Sequence, residues 1–519
     1  MRAIDRRDLP REEAPARSVR GTVALGLPAV AGTVALLLVS RKGVYASPDS
    51  AFYVGTARNL LDGNGLTAPP GSPPLSHFPP LFSMVLAAVA WVSGLDPLDA
   101  AGVVNALLLG VTAVMVALLV RRRSGSVALG VTASVAMIVA VDLLVYFASA
   151  LSEPLFVVLV LGAVVSLAAA VEQGSRWAWA AAVAFSAGAC LTRYLGVALV
   201  VAEVAVILKV CGRKGLVRAA VVGGASLAPL AVWLAVAGGG NRPVVVHLFD
   251  AGYWLDGARS LSRWVLPPFV PWPVRALATV AVLAGLTWLA VARPGRGRGS
   301  GGRRPTDVVG LLLPAFAVAY LGMLVADRVV LDATGRLDLR FLGVLHVLAF
   351  IGLLPWIHRA LAAPASAGRA RTIAISAGVV LMGLHGLQAG VWVAAGFTDA
   401  GVGRRGLTAA AWDDSPVLAA VAALPPDAPV YSNAPEAVFL LTGRSASPLP
   451  AHTDYLSGRM RPRYGAELAA VDDRLVREDG VVVWLRPYAF KQRFLAPVAD
   501  LDVQPVLEDD VATLSRPRP

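Results

Sequence analysis

Charged residues and cysteine are both scarce in this chain of 519 residues. Only 15% of the residues are charged and 56% are hydrophobic, whereas soluble domains carry about 25% charged residues. This shortage of charge argues against a water-soluble enzyme, a disordered chain and a nucleic-acid-binding protein. The two cysteines, Cys190 and Cys211, are too few for a disulfide framework or for a zinc motif built from cysteine and histidine.

Long apolar runs dominate the sequence instead. A run of about 17–25 apolar residues can cross a bilayer as a helix, and eleven candidates precede residue 397. They lie at 21–40, 98–120, 126–148, 154–171, 177–192, 194–208, 219–239, 271–292, 308–326, 341–357 and 373–396.

The positions of Lys and Arg orient these runs in the membrane. If residues 79–95 lie in the interface instead of crossing, the predicted cytoplasmic segments hold 22 Lys and Arg. The outside segments before residue 397 then hold 10. Cytoplasmic loops carry the excess of positive charge, so we predict a multi-pass protein of the cytoplasmic (inner) membrane. Its N-terminus is expected in the cytoplasm and its C-terminus outside.

The predicted fold class is mainly α, a polytopic membrane domain with a small extracytoplasmic α/β domain. The predicted parts are a basic cytoplasmic tail (1–20), a membrane domain (21–396) and an outside domain (397–519). The membrane domain includes a long first outside loop at 41–97.

The predicted outside domain has three strand-like runs. They lie at 429–432, 437–441 and 481–485, and Pro and Gly separate them. These runs predict a small sheet that is accompanied by helices.

The first outside loop carries a carboxylate close to the membrane surface. A short amphipathic helix is predicted from about 50 to 61, and Asp49 stands where an N-cap residue belongs. The alternative is chemical, because a carboxylate at the outer surface could accept a proton from an incoming hydroxyl. The local sequence leaves both interpretations open.

Four short motifs follow one another along the predicted outer face. They are Asp-x-x-x-Tyr at 49–53, His-Phe-Pro-Pro-Leu at 77–81, Ser-Glu-Pro-Leu-Phe at 152–156 and Leu-Arg-Phe-Leu at 339–342. In this order the chain resembles the C-type (GT-C) glycosyltransferases, a class that includes the protein O-mannosyltransferases and the lipid A aminoarabinose transferases. It is most similar to their uncharacterised bacterial branch.

The resemblance implies roles for individual residues. Asp49 matches the catalytic Asp of the class, and Glu153 matches a second acidic position that helps hold a metal in some members. His77 stands where better-known relatives have a Lys that binds lipid phosphate, and Arg340 matches a late basic residue beside that phosphate. No cofactor is certain from the resemblance, which leaves a divalent metal open, and no metal ligand is assigned.

Four further residues are candidates for the same site. Tyr53 completes the first motif and is a predicted substrate contact. Arg193 is either an interface anchor or a sugar or phosphate contact, and His247 is either a plain loop residue or a contact for sugar or acceptor. Asp142 lies within a predicted span, where ionisable groups are often functional, and could line the same cavity.

The resemblance and the outer-face residues together predict the activity. We expect a hexosyl- or pentosyltransferase that moves a sugar, with inversion, from a polyprenyl-phosphate donor. The acceptor hydroxyl would belong to a glycan, a glycolipid or a protein, and the partners expected besides these are membrane lipids and no nucleic acid. The alternatives are a transporter or flippase of lipid-linked sugars and a non-catalytic envelope assembly protein.

Overall fold

The computed structural model describes most of the chain as helix. The described residues are 19–69, 75–238, 251–291, 307–330, 337–362, 368–397, 406–454, 459–488, 494–497 and 500–518. Nearly all of the predicted basic tail and the whole of the short segment around His247 lie outside these residues.

The helices that precede residue 397 are named in chain order. They are α1 (Val19–Ser40), α2 (Pro48–Leu61), α3 (Leu81–Ser93), α4 (Pro97–Ser124), α5 (Val127–Val139), α6 (Val141–Phe147), α7 (Glu153–Gln173), α8 (Arg176–Thr192), α9 (Val197–Cys211), α10 (Leu216–Val236), α11 (Ala251–Val265), α12 (Trp272–Val291), α13 (Val308–Val330), α14 (Leu339–Ala362) and α15 (Arg369–Gly396).

Apolar helices long enough to cross a bilayer make this a multi-pass membrane protein. Within the described ranges there are eight such stretches, or nine if the bent pair α5 and α6 forms one span. Each of the eleven predicted runs coincides with a helix or, at 126–148, with the bent pair α5 and α6, and two features explain the smaller number of long stretches. Helix α8 has only 17 residues, and α9 and α10 belong to one apolar stretch, Tyr194–Val236.

Two helices depart from simple spanning geometry. Helix α3, within the run 79–95, has 13 residues and is therefore about 20 Å long, shorter than the roughly 30 Å hydrocarbon core. Helices α5 and α6 meet at an angle of 70° near Ala140, whose backbone is extended. This bend places the short helix α6 directly before the turn that leads to α7.

Close packing around α4 holds the membrane helices together. Gly110 of α4 faces Thr33 of α1, where a Cβ atom would overlap the threonine hydroxyl. Small residues at such positions let helix backbones approach closely, and dispersion then stabilises their association in lipid. Asn105, about one and a half turns earlier on α4, donates through Nδ2 to the Ser149 carbonyl at 2.6 Å, so α4 also holds the turn between α6 and α7.

The C-terminal part of the chain forms a five-stranded sheet with three helices. The strands are β1 (Val430–Ser432), β2 (Ser447–Pro448), β3 (Val481–Leu485), β4 (Val503–Glu508) and β5 (Ala512–Pro517), in the order β2-β1-β3-β5-β4. Strand β1 is parallel to β2 and β3, whereas β5 is antiparallel to β3 and β4. The helices are α16 (Pro416–Ala422), α17 (Pro435–Thr442) and α18 (Tyr464–Arg477).

One of the three predicted strands is wrong. Residues 437–441 lie in α17, which has Pro435 at its start and is closed by Gly443 at φ 72°. A short apolar run fits a strand or a buried helix equally well by periodicity. The flanking proline and glycine decide for the helix, because proline favours the first helical turn and glycine the left-handed position after the last.

Candidate functional site

The guanidinium of Arg340 joins the two candidate carboxylates at one end of the membrane helices. Its Nη2 donates to Oδ2 of Asp49 at 2.8 Å and to Oε1 of Glu153 at 2.9 Å. Its Nε donates to the same Glu153 oxygen at 3.1 Å. Charge-assisted bonds of this kind are about twice as strong as neutral ones, so three motifs distant in sequence are fixed at one point.

Asp49 does not cap its helix. The cap of α2 is Ser47, which accepts from the Ser50 N–H at 3.3 Å, while the Ser50 hydroxyl accepts from the Ser47 N–H at 2.9 Å. This reciprocal pair is a capping box, and the helix starts at Pro48, two residues before the predicted start. The carboxylate of Asp49, 31% exposed, is therefore free of the backbone and open to solvent.

Glu153 is the buried acid of the pair. It opens α7 and is only 2% exposed. Arg193 reaches it from the end of α8, with Nη1 2.6 Å from Oε1, and the same guanidinium lies 5.7 Å from the centre of the Phe341 ring. This placement favours a role for Arg193 in the site over anchoring in the membrane interface.

Tyr53 lies behind this ion-pair network. Its hydroxyl is 3.1 Å from the Ser152 hydroxyl, which also accepts from Arg193 at 3.4 Å. Because Tyr53 is only 1% exposed, the structure does not support the predicted contact with substrate. The tyrosine packs beneath the site and holds the residue that precedes Glu153.

Of the two predicted histidines, His77 lies in the described part of the chain. His77 ends a 3₁₀ turn, Leu75–His77, and its ring packs edge-on against Phe78 at 4.5 Å. Phe78 in turn packs on Tyr53 at 4.9 Å, so His77 belongs to the aromatic wall on the α2 side of the site. His247 lies outside the described residues.

Asp142 belongs to a separate pair. It is buried on α6, and its Oδ1 accepts from Nη2 of Arg263 on α11. The sequence suggested instead that Asp142 could line the cavity of Asp49 and Glu153. Asp142 and Arg263 are 121 residues apart in sequence. The local sequence around Asp142 therefore did not indicate its partner.

The sequence interpretation missed two residues beside Arg340. Burial raises the pKa of Asp338 above its ordinary value, although the positive charge of Arg340 opposes this. Asp338 also accepts from the Arg340 N–H at 2.9 Å, so it holds the first turn of α14. Burial likewise raises the pKa of Tyr45. The positive charge of Arg340 opposes this rise, and the negative charge of Asp49 adds to it. Only their nearness in sequence to Asp49 and Arg340 could have indicated them.

The residues around Asp49 do not fit a divalent metal. One oxygen of each carboxylate, Oδ2 of Asp49 and Oε1 of Glu153, accepts from Arg340, and a second cation, Arg193, lies against Glu153. Two guanidinium groups would repel a divalent ion held between them. No group of three or more His, Cys, Asp or Glu side chains in the described parts of the chain could hold a metal.

Comparisons with solved structures return membrane glycosyltransferases. ArnT from Cupriavidus metallidurans, solved bound to undecaprenyl phosphate and in the apo state, has a TM-score of 0.47 and 14% identity. The match covers 94% of this chain and 97% of that protein. A second match is arabinosyltransferase EmbB from Mycobacterium smegmatis, with a TM-score of 0.40 and 14% identity over 67% of this chain and 31% of EmbB.

Sequence comparisons give no further assignment. No protein-family model matches the chain, and no curated protein matches it significantly.

Proposed function

We propose that this protein is an integral membrane glycosyltransferase that uses a polyprenyl-phosphate-linked sugar as donor. The transfer goes to an acceptor hydroxyl outside the cytoplasmic membrane, with inversion. The observation that carries the proposal is the bridge from Arg340 to Asp49 and Glu153. It brings a carboxylate that could accept a proton and a guanidinium that could bind phosphate together at the ends of apolar helices.

Asp49 acts as the general base. Its Oδ2 is held by Arg340, which fixes the rotamer and leaves Oδ1 without a bond to any described residue. A base must lie within hydrogen-bond reach of the proton that it removes. The acceptor hydroxyl therefore approaches Oδ1, and its oxygen attacks the anomeric carbon as the proton leaves.

Arg340 receives the phosphate of the donor. Its contacts with the two carboxylates use Nε and Nη2, so Nη1 is the nitrogen directed away from them. Negative charge grows on the phosphate oxygen as the glycosidic bond breaks, and a fixed cation stabilises the transition state more than the ground state. No described side chain is needed as a nucleophile, and a single displacement with one base inverts the anomeric carbon.

Glu153 and Arg193 position Arg340. A buried carboxylate is costly unless cations pair with it, and here two guanidinium groups share one oxygen of Glu153. Glu153 therefore fixes Arg340 from the buried side, and Asp49 fixes it from the solvent side. The acid predicted as catalytic acts in this proposal through Arg340.

The proposal is tested by transfer in vitro. Purified full-length protein in nanodiscs is mixed with radiolabelled polyprenyl-phosphate hexoses and pentoses and with an envelope fraction from cells that lack the gene. We expect label to move from at least one donor into the acceptor fraction, and Asp49→Asn to abolish most of it. Folded, monodisperse protein that transfers label from none of these donors would refute the proposal.

A transporter of lipid-linked sugars is the second candidate. The observation in its favour is the 70° bend between α5 and α6, next to the buried pair of Asp142 and Arg263. Broken helices with ionisable residues are common at transporter binding sites. Movement of a fluorescent polyprenyl-phosphate sugar across proteoliposomes, without formation of product, would favour the transporter over the enzyme.

A further inference from the structure

Three chain segments lie side by side directly above the site. They are residues 44–46, 148–150 and 406–408, and we call them the clasp. Tyr45 pairs in parallel with Ser149, and Ala46 pairs in parallel with Gly406. The Ala150 N–H donates to the Tyr45 carbonyl at 2.8 Å, and the Leu407 N–H donates to the Ala46 carbonyl at 2.8 Å. Residues 44–46 are therefore held from both sides.

Two members of the clasp lead directly to the carboxylates. The segment 44–46 ends next to Ser47, the cap of the helix that carries Asp49. The segment 148–150 ends three residues before Glu153, at the start of α7. Because the two segments run parallel and are paired, they leave the pairing side by side. Their pairing therefore sets the distance between Asp49 and Glu153, the two acids that bind Arg340.

The third member comes from the C-terminal part of the chain. Gly406 adopts φ +66°, and a Cβ atom there would overlap the carbonyl oxygen of Ala46. The Trp412 indole N–H holds the Gly406 carbonyl at 2.7 Å. Two residues on, the Thr408 hydroxyl donates to the Val44 carbonyl at 2.6 Å. Residues of the C-terminal region thus hold the backbone before Asp49 by hydrogen bonds.

We propose that Gly406 and Thr408 are positioning residues for Asp49, so that the C-terminal region is a structural part of the catalytic site. This inference rests on the proposed function for its kinetic consequences. A displacement of about 1 Å can cost roughly 10²-fold in rate, and any side chain at position 406 must push the Ala46 carbonyl away. In the proposed function the donor phosphate contacts Arg340, and Glu153, which lies outside the clasp, still holds that guanidinium when Asp49 moves. Donor binding should therefore change less than turnover.

The test compares two glycines that have the same backbone strain. Gly443 has φ +72° and nothing lies within 4 Å of a Cβ added there, whereas a Cβ added at Gly406 would overlap the carbonyl oxygen of Ala46. An alanine carries the same kind of backbone strain at both positions, because both have a left-handed backbone conformation. We expect Gly406→Ala to lower kcat at least tenfold while KM for the donor changes less than twofold, and Gly443→Ala to change neither.

A second pair of variants covers the case in which Gly406→Ala fails to fold. Thr408→Ser keeps the hydroxyl that bonds to Val44, and Thr408→Val keeps the shape but removes the hydroxyl. We expect Ser to retain the wild-type kcat and Val to lower it several-fold with KM unchanged. Equal kcat values for the two Thr408 variants, or for the two glycine variants, would overturn the inference.

Hydrogen exchange makes the inference testable without activity. The peptide that spans residues 44–61 should exchange faster in Gly406→Ala than in wild type, and Gly443→Ala should leave it unchanged. Absence of transfer by the wild-type protein would count against the proposed function alone. Unchanged exchange in Gly406→Ala would count against the clasp, whatever the activity.

Discussion

Arg340 and Asp49 are 291 positions apart in the sequence, and their side chains are joined by a hydrogen bond of 2.8 Å. The bond connects the first turn of α2 with the first turn of α14. Each residue restricts the other, because the carboxylate orients the guanidinium and the guanidinium fixes the carboxylate.

Asp49→Asn should remove turnover without unfolding the protein. Asparagine keeps the shape of the side chain but cannot take a proton, and general-base catalysis is typically worth about 10²–10⁴-fold. Stability should change little, because Ser47 supplies the cap of α2. The measurements are kcat and melting temperature of the purified variant.

Ser47→Ala is the matched control for Asp49→Asn. Loss of a serine cap costs about 1 kcal/mol, so the melting temperature should fall while more than about a tenth of the turnover remains. Asp49→Asn with more than about a tenth of wild-type turnover would contradict the role of Asp49 as base.

Arg340→Lys should be less damaging than Arg340→Ala. Lysine keeps the charge but lacks the planar fork that reaches Asp49 and Glu153 together. We expect Arg340→Lys to raise KM for the donor more than it lowers kcat, and Arg340→Ala to impair both. Binding of polyprenyl phosphate to each variant, measured by quenching of tryptophan fluorescence, should follow the same order. Unchanged kinetics in Arg340→Ala would remove Arg340 from the donor site.

Glu153→Ala should destabilise the protein more than Asp49→Ala does. Glu153 is buried and pairs with two arginines, and breaking a buried ion pair typically costs about 3–5 kcal/mol. Asp49 is partly exposed and pairs with one, so its loss should cost about 1 kcal/mol or less. Thermal unfolding in the same detergent compares the two, and equal melting temperatures would show that Glu153 is not the buried counter-ion of Arg193 and Arg340.

The proposed topology can be checked with an impermeant maleimide. Two exposed positions suit this experiment, because Met460 is 81% exposed and Gln173 lies at the exposed end of α7. After Cys190 and Cys211 are replaced by alanine, Met460→Cys should react in cells with a permeable outer layer, and Gln173→Cys should react only after lysis. The reverse pattern would place the Asp49 site on the cytoplasmic face.

Local sequence signals were enough for the helices but not always for their ends. The apolar runs marked where each membrane helix lies, because a bilayer demands a long uninterrupted apolar segment. The local sequence did not identify the cap of α2, since Ser47, Asp49 and Ser50 are all residue types that favour an N-terminus. The strand expected at 437–441 failed for a similar reason, because periodicity alone does not distinguish a short strand from a short buried helix.

The sequence by itself determined that this is a membrane protein, and it placed Asp49, Glu153 and Arg340 in motifs beside predicted span ends. Composition, run length and local motifs carry that information, because each depends on residues close together in the chain. Only the tertiary structure decided that Arg340 bridges Asp49 and Glu153, that Asp142 pairs with Arg263, and that residues 406–408 hold the segment before Asp49. These contacts join residues more than a hundred positions apart, and they depend on how helices pack and in which direction side chains point, which no local period encodes.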